Sequence, residues 1–352
     1  MRGKMNGNTH ARTDGEKPAI RVSELKARLD RGEELMLLDV RRPEDVRRWR
    51  IESKHPVEFL NVSYAEMAPE GDPTDPAQAP HEVEQVKRYV EAHLMGKLPK
   101  DKPIVVVCAR GVTSAHAAQA LRELGFPATH LEGGMEAWGR FYEIRPVVEA
   151  PDLAIYQIVR PARGCLSYAV ASQGRAVVID PLRHVDEYTR LAEQKGLRIE
   201  QVLDTHAHAD HISGGVELAR RLGVRYFLHP YDGIHPIDMV PATIDFAYIR
   251  DGQVFAVGDV QIRAIHIPGH TLGNLAYLVA EKYLLTGDSI FLESIARPDL
   301  GGRGEAWAPL HYRSLKRLLE LPEETIVLPG HYSHPRESDE RGLFAAPLGT
   351  LT

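Results

Sequence analysis

The chain has 352 residues, enough for two domains of about 150 residues each. Hydrophobic residues make up 43% and charged residues 26%, which excludes wholesale disorder, and a formal net charge of −6 offers no global positive field for nucleic acid or an anionic membrane. The two cysteines cannot build a disulfide framework, no apolar run approaches the roughly 18 residues of a membrane span, and the first 17 residues lack the apolar stretch of a secretion signal. A reducing, cytoplasmic setting is expected. Histidine is the unusual residue, 17 in all, with several packed together in the C-terminal half.

Residues 1–17 read as a disordered tail. From 18 to 141 strands and helices alternate. A helix over 23–32 is capped by Ser23, a buried strand covers 36–40, and a short helix over 43–50 carries Pro43 in its first turn. The Pro- and Asp-rich stretch 69–80 is a loop, followed by a helix over 81–94 with Val83, Val86, Val90 and Leu94 at helical spacing. The β-branched run 104–107 is a central strand, and a helix over 113–124 closes at Gly125. This rhythm predicts a largely parallel sheet covered on both faces. Residues 142–151, with Pro146 and Pro151, read as a linker.

After the linker the rhythm changes to successive strands at 154–160, 165–171 and 176–180, a helix over 186–195, and a strand at 201–203 that runs into a His-rich loop. Further strands end at Ile267, Thr286 and Leu328, with a helix over 310–319. The chain is therefore expected to be a two-domain α/β protein, with the second domain at 152–352.

The loop after Leu203 reads Asp204-Thr205-His206-Ala207-His208-Ala209-Asp210-His211, an H-x-H-x-D-H pattern. Imidazoles and carboxylates are the usual ligands of borderline divalent metals, and several in one turn fix much of a coordination geometry. Three more strands end in Gly-containing turns that each present one such residue: Pro268-Gly269-His270, Thr286-Gly287-Asp288 and Pro329-Gly330-His331. In α/β architectures ligands gather beyond the carboxyl ends of strands, so all four loops can point into one pocket.

On these motifs, with Cys165-Leu166-Ser167-Tyr168 and Val178-Ile179-Asp180-Pro181 ahead of them, residues from 152 onward resemble the metallo-β-lactamase superfamily. The resemblance implies an αββα sandwich with a metal site at its edge. Glyoxalase II members carry a further helical region after the last metal histidine, and 21 residues follow His331 here. The segment Ala296-Arg297-Pro298-Asp299-Leu300 is similar to the Gly-Arg-x-Asp stretch of persulfide dioxygenases, with Ala296 in the glycine's place. That likeness implies one Fe(II) per chain on His206, His270 and Asp288, a two-His, one-carboxylate set with open positions for O₂ and a substrate sulfur. His208, Asp210, His211 and His331 would then support these ligands, or hold a second metal in a hydrolase. Arg297 is the candidate contact for a carboxylate or phosphate of the thiol carrier.

In the first domain the strand 104–107 delivers Cys108 into Ala109-Arg110-Gly111-Val112-Thr113-Ser114 and then a helix. Backbone N–H groups and the helix dipole at that position stabilise a thiolate, or a persulfide anion. Together with Leu38-Asp39-Val40-Arg41 and Leu131-Glu132-Gly133-Gly134-x-x-Ala137-Trp138, this order and spacing resembles a rhodanese domain over 18–141, which implies sulfur transfer through a Cys108 persulfide. Related phosphatases need an arginine where Ser114 stands. Cys165 and Trp138 are expected in the core, and His116, His130 and His184 in solvated or capping positions.

The combined reading is a sulfurtransferase fused to a persulfide dioxygenase that oxidises a glutathione- or coenzyme A-type persulfide with O₂ to sulfite, with thiosulfate as a further partner, no nucleic acid or membrane, and homo-oligomers allowed. Two alternatives stand beside it. One is a dinuclear zinc thioester hydrolase using all seven ligands; the other makes the rhodanese domain a sulfur-sensing module that regulates the metal domain.

Overall fold

The computed structural model describes residues 19–73, 75–208, 213–233, 245–299 and 302–351. The expected N-terminal tail and the candidate ligands Asp210 and His211 lie outside the described residues. The chain divides into two compact units between Trp138 and Gly139. Among the described residues no helix is long and apolar enough to cross a membrane.

The first unit is a parallel sheet of β1 (Ala19–Ile20), β2 (Met36–Asp39), β3 (Glu58–Asn61), β4 (Ile104–Val107) and β5 (Ala128–Leu131), in the order β1-β5-β4-β2-β3. β4 is an unbroken β-branched run because helices cover both its faces, and all four of its residues are buried. The crossovers are α1 (Val22–Asp30), α2 (Pro43–Arg48), α3 (Tyr64–Met67), α4 (Ala79–His93), α5 (Val112–Glu123) and α6 (Gly134–Arg140). Val83, Val86 and Val90 form the buried stripe of α4, as their spacing requires. Ser23 is not the cap of α1: Arg21 takes the cap position, and buried Val22 opens the helix.

The second unit has two sheets. One runs β12-β11-β10-β9-β8-β7-β6, from β6 (Glu143–Glu149), β7 (Ala154–Arg160), β8 (Cys165–Ser172), β9 (Arg175–Ile179), β10 (Arg198–Leu203), β11 (Arg225–Leu228) and β12 (Ala247–Tyr248). The other runs β13-β14-β15-β16-β17-β18, from β13 (Val254–Val257), β14 (Val260–His266), β15 (Leu275–Val279), β16 (Tyr283–Gly287), β17 (Ile326–Pro329) and β18 (Ala346–Pro347). Their facing side chains, among them Ile155, Tyr168, Val170, Ile262, Tyr277 and Leu285, form one core. The opposite face of the first sheet is covered by α7 (Asp186–Lys195) and α8 (Gly215–Leu222), which contribute Tyr188, Leu191 and Leu218. The short α9 (Pro230–Gly233) follows β11, and α10 (Gly304–Leu318) covers the second sheet with Leu315 and Leu318. This is an αββα sandwich.

The stretch 142–151 is not an open linker. Residues 143–149 form β6, an edge strand paired antiparallel with β7, and its register shifts between Pro146 and Val148. Proline lacks the ladder N–H, so an edge strand with an irregularity is where a sheet can accept it.

Candidate active sites

The candidate metal centre sits where β10 of one sheet and β14, β16 and β17 of the other all end. His206 follows β10, His270 follows β14, Asp288 follows β16 and His331 follows β17. Two hydrogen bonds hold the loops together across the sheets: Leu275 N–H donates to Thr205 O at 2.8 Å, and Tyr277 O–H donates to Asp204 O at 2.8 Å. Gly287 permits the T-G-D turn, with φ +49° and a position where a Cβ would stand 2.6 Å from Thr205 Oγ1.

His206, His270 and Asp288 each offer one ligand atom within 4.8 Å of the others. Asp288 Oδ2 stands 3.8 Å from His206 Nε2 and 3.7 Å from His270 Nε2, too far for hydrogen bonds. His206 Nε2 is buried with no hydrogen-bond partner. An orphaned imidazole nitrogen is costly unless it serves as a ligand, so this donor set fits a divalent metal.

The surrounding hydrogen bonds select the tautomers. Thr205 Oγ1 donates to Asp180, 2.9 Å from Oδ2, while its amide donates to Asp180 Oδ1 at 2.6 Å. The threonine hydroxyl has one proton, so the 2.8 Å contact from His206 Nδ1 must be an N–H donating to it, which leaves the lone pair on Nε2. His270 Nδ1 donates to the carbonyl of Arg297 at 3.0 Å with the same result. Burial pushes the His206 pKa down to about 3, so this imidazole is neutral near pH 7. Burial alone would raise Asp288; the hydrogen bond from His331 and the charges of His331, His206 and His270 outweigh it and hold the carboxyl below its usual range.

Of the other predicted ligands, the described ones are His208 and His331, and His208 forms a second group with Asp180 and Asp204 whose ligand atoms lie within 4.8 Å of one another. His208 turns its Nε2 to Asp180 Oδ1 at 3.3 Å, although its ring lies 4.1 Å from that of His206. His331 Nδ1 is 2.7 Å from Asp288 Oδ1. The Arg297 guanidinium is exposed and pairs with Asp299 through two contacts at 2.5 and 2.8 Å. What Arg297 brings to the metal centre is its backbone carbonyl.

Sequence reasoning missed three supporting carboxylates. Asp180 anchors Thr205 and His208. Asp204 accepts from Ser213 Oγ at 2.6 Å and Tyr226 O–H at 2.7 Å, and burial lifts it to about 6. Asp232 accepts from Ala207 N–H, Thr271 O–H and Gly273 N–H, and burial raises its pKa. Asp180 and Asp204 stand in stretches singled out from the sequence, and Asp232 does not.

In the first unit Cys108 closes β4, with its Sγ buried. Gly111 N–H donates to Sγ at 3.0 Å and Ser114 Oγ–H at 3.1 Å. Ala109, Arg110 and Val112 are exposed around it, Thr113 is half-buried, and Val112 presents a large apolar side chain at the rim. The Gly133–Gly134 turn backs this loop: Met135 N–H donates to Cys108 O at 2.8 Å and Glu136 N–H to Ala109 O at 2.9 Å. Arg41 pairs bidentately with Asp39, a nearly buried ion pair that fixes the turn after β2.

His116 is not solvated. It is buried on α5 with Nδ1 2.9 Å from Glu82 Oε2, which also accepts from Tyr64 O–H at 2.5 Å. Burial, the Glu82 hydrogen bond and charge, and the charge of Cys108 raise the Tyr64 phenol far above its usual range. His130 is buried too, while His184 is half-buried, edge-on to Tyr142. Cys165 and Trp138 are in the core as expected.

The chain belongs to the metallo-beta-lactamase superfamily, whose model matches residues 160–331, and carries ahead of it a match to the rhodanese-like domain over residues 21–140. It is 32% identical over 203 residues to an uncharacterized protein of Aquifex aeolicus, covering 53% of this chain and 93% of the relative. It is 35% identical over 162 residues to a hydroxyacylglutathione hydrolase of Xanthomonas euvesicatoria, covering 46% of this chain and 58% of that enzyme. The chain thus spans little more than half the length of that relative. The crystal structure of ETHE1 from Myxococcus xanthus is similar at 25% identity and a TM-score of 0.44, covering 59% of this chain and 80% of that one.

Proposed function

We propose that the second unit is a mononuclear iron persulfide dioxygenase and that the rhodanese-like unit transfers sulfane sulfur through Cys108. The observation that carries the first part is the separation of the ligands. Among the described residues, with His208 grouped with Asp180 and Asp204 and His331 on one oxygen of Asp288, the group that joins two imidazoles to a carboxylate is His206, His270 and the second oxygen of Asp288. Two imidazoles and one carboxylate suit non-haem ferrous iron with positions left for two reactants.

The overall change is R–S–SH + O₂ + H₂O → R–SH + SO₃²⁻ + 2 H⁺. The sulfane sulfur loses four electrons and O₂ gains them. Iron held by His206, His270 and Asp288 would supply redox access to O₂, which zinc lacks, and a contact for the substrate sulfur. The protein's own contribution is preorganisation. Thr205 and the Arg297 carbonyl hold each imidazole with Nε2 turned inward, and Asp288 stays ionised to balance metal charge. The Arg297 guanidinium, exposed at the end of the same segment, is assigned to the carboxylate or phosphate of a glutathione- or coenzyme A-type carrier, displacing Asp299.

At Cys108 the Gly111 amide and the Ser114 hydroxyl both donate to sulfur, two contacts placed to hold a sulfur carried in this loop. Transfer to sulfite would then run Cys108–S–S⁻ + SO₃²⁻ → Cys108–S⁻ + S₂O₃²⁻, breaking one S–S bond and forming another. This links the two units through sulfite, the product of the first reaction.

A second reading is a dinuclear zinc thioester hydrolase, favoured by the identity to a hydroxyacylglutathione hydrolase across the metal domain. Metal analysis of protein purified without added metal, paired with an oxygen electrode and glutathione persulfide, separates the two. One iron per chain with oxygen uptake is expected. Two zinc ions per chain with thioester hydrolysis, and no oxygen uptake after anaerobic iron loading, would establish the hydrolase.

A further inference from the structure

Asp232 lies in α9, outside every motif, and is not one of the three grouped ligands. Its Oδ2 accepts from the Ala207 amide at 2.9 Å and from the Thr271 hydroxyl at 2.6 Å, and its Oδ1 accepts from the Gly273 amide at 2.7 Å. Ala207 directly follows His206, and Thr271 directly follows His270. One carboxylate therefore ties together the loops that supply both imidazole ligands, and these loops come from different sheets.

The contact is close enough to dictate sequence. A Cβ on Gly273 would stand 2.6 Å from Asp232 Cγ, so only glycine lets the loop reach the carboxylate. All three donors are neutral, and among the described residues no lysine or arginine pairs with Asp232. Its three hydrogen bonds all go to the loops that carry the ligands, so its contacts serve to place those loops.

We propose that Asp232 is a positioning residue that presets the metal centre. It holds the His206 and His270 loops at their ligating separation before metal arrives. The inference rests only on the metal-binding part of the reading above, which the dioxygenase and the hydrolase share.

The test uses full-length protein stripped of metal. Zn(II) affinity is measured by competition with a chromogenic chelator, and Co(II) visible spectra are recorded at saturation. Asp232→Asn is expected to weaken Zn(II) binding about tenfold to a hundredfold, the usual effect of losing a partner behind a ligand. It should keep the wild-type Co(II) bands and leave the metal-free melting temperature within a few degrees. Thr271→Val removes one tie and no charge, so it should weaken binding by a smaller factor, and it carries the test if Asp232→Asn does not fold. Unchanged affinity in either folded variant would overturn the proposal. So would equal destabilisation of the metal-free and metal-loaded forms, which marks a purely structural brace, or altered Co(II) bands, which mark Asp232 as a ligand. If the wild-type protein binds neither Zn(II) nor Co(II), the metal-centre reading itself fails instead.

Discussion

Asp288 divides its two oxygens: Oδ1 takes the hydrogen bond from His331 Nδ1 at 2.7 Å, and Oδ2 faces both His206 and His270. A carboxylate committed in this way has one oxygen left for an ion. His331→Ala should therefore weaken metal binding about tenfold to a hundredfold while the stoichiometry stays at one per chain. Asp288→Ala should abolish binding. Elemental analysis after anaerobic reconstitution checks both, and a fall from two metals to one in His331→Ala would assign His331 to a second metal.

Cys108→Ser should abolish thiosulfate:thiol sulfur transfer and leave oxygen uptake with a ready-made persulfide within about threefold, since the cysteine and the metal ligands belong to different units and independent sites contribute independently. Parallel assays of the two reactions on the folded variant decide the matter. Loss of both would make Cys108 part of a single coupled reaction.

Arg297→Ala removes an exposed ion pair that contributes little to stability and leaves the carbonyl that holds His270 in place. Metal content should be unchanged. If the guanidinium binds the carrier's anionic group, KM for the persulfide should rise about tenfold or more with little change in kcat. Steady-state oxygen uptake reads both constants, and an unchanged KM would leave Arg297 with only its Asp299 contact.

Below pH 6.5 the buried imidazoles should weaken the metal-free protein, against an opposing contribution from Asp204, whose raised pKa favours the folded state as it protonates. His229 is buried and stacked on His266 with centroids 4.3 Å apart, and burial, aided by the His266 charge, pushes its pKa down to about 4. The unfolded chain binds a proton near pH 6.5 that the folded form refuses until about pH 4. Stability is thus full above pH 6.5 and is lost as pH falls through that window, by up to about 1.4 kcal/mol per pH unit for this group. His206 acts in the same direction. Urea unfolding at a series of pH values should show this slope, and His229→Phe, which keeps the ring stack, should flatten it.

The ligands were readable because each follows an apolar strand, His270 and Asp288 through a glycine turn and His206 in a histidine-rich loop, and the strand ends do converge: His206, His270 and Asp288 form one group. What surrounds them was not readable. Asp232 meets Ala207 and Thr271 through backbone and hydroxyl groups that no local pattern encodes. His116 looked like a solvated histidine because its partner Glu82 lies on another helix, and burial on α5 depends on that distant contact. Residues 143–149 looked like a linker because proline normally ends strands, while an edge position tolerates it. Arg297 was read for its guanidinium, yet the atom placed beside a ligand is its main-chain oxygen.

The cross-sheet clips at the metal centre also bear on the order of events in folding. Cys165, at the start of β8, forms a β-bridge with His331, Leu166 N–H donates to Gly330 O at 2.8 Å, and Leu275 N–H reaches Thr205 O from the second sheet. No single sheet carries the complete ligand set, so the donors come into register only after the two sheets have docked. An ion that binds this set stabilises an arrangement absent from earlier, partly assembled states. Such stabilisation acts on the barrier out of the native state far more than on the barrier into it, so metal should slow unfolding many-fold while leaving the refolding rate almost unchanged.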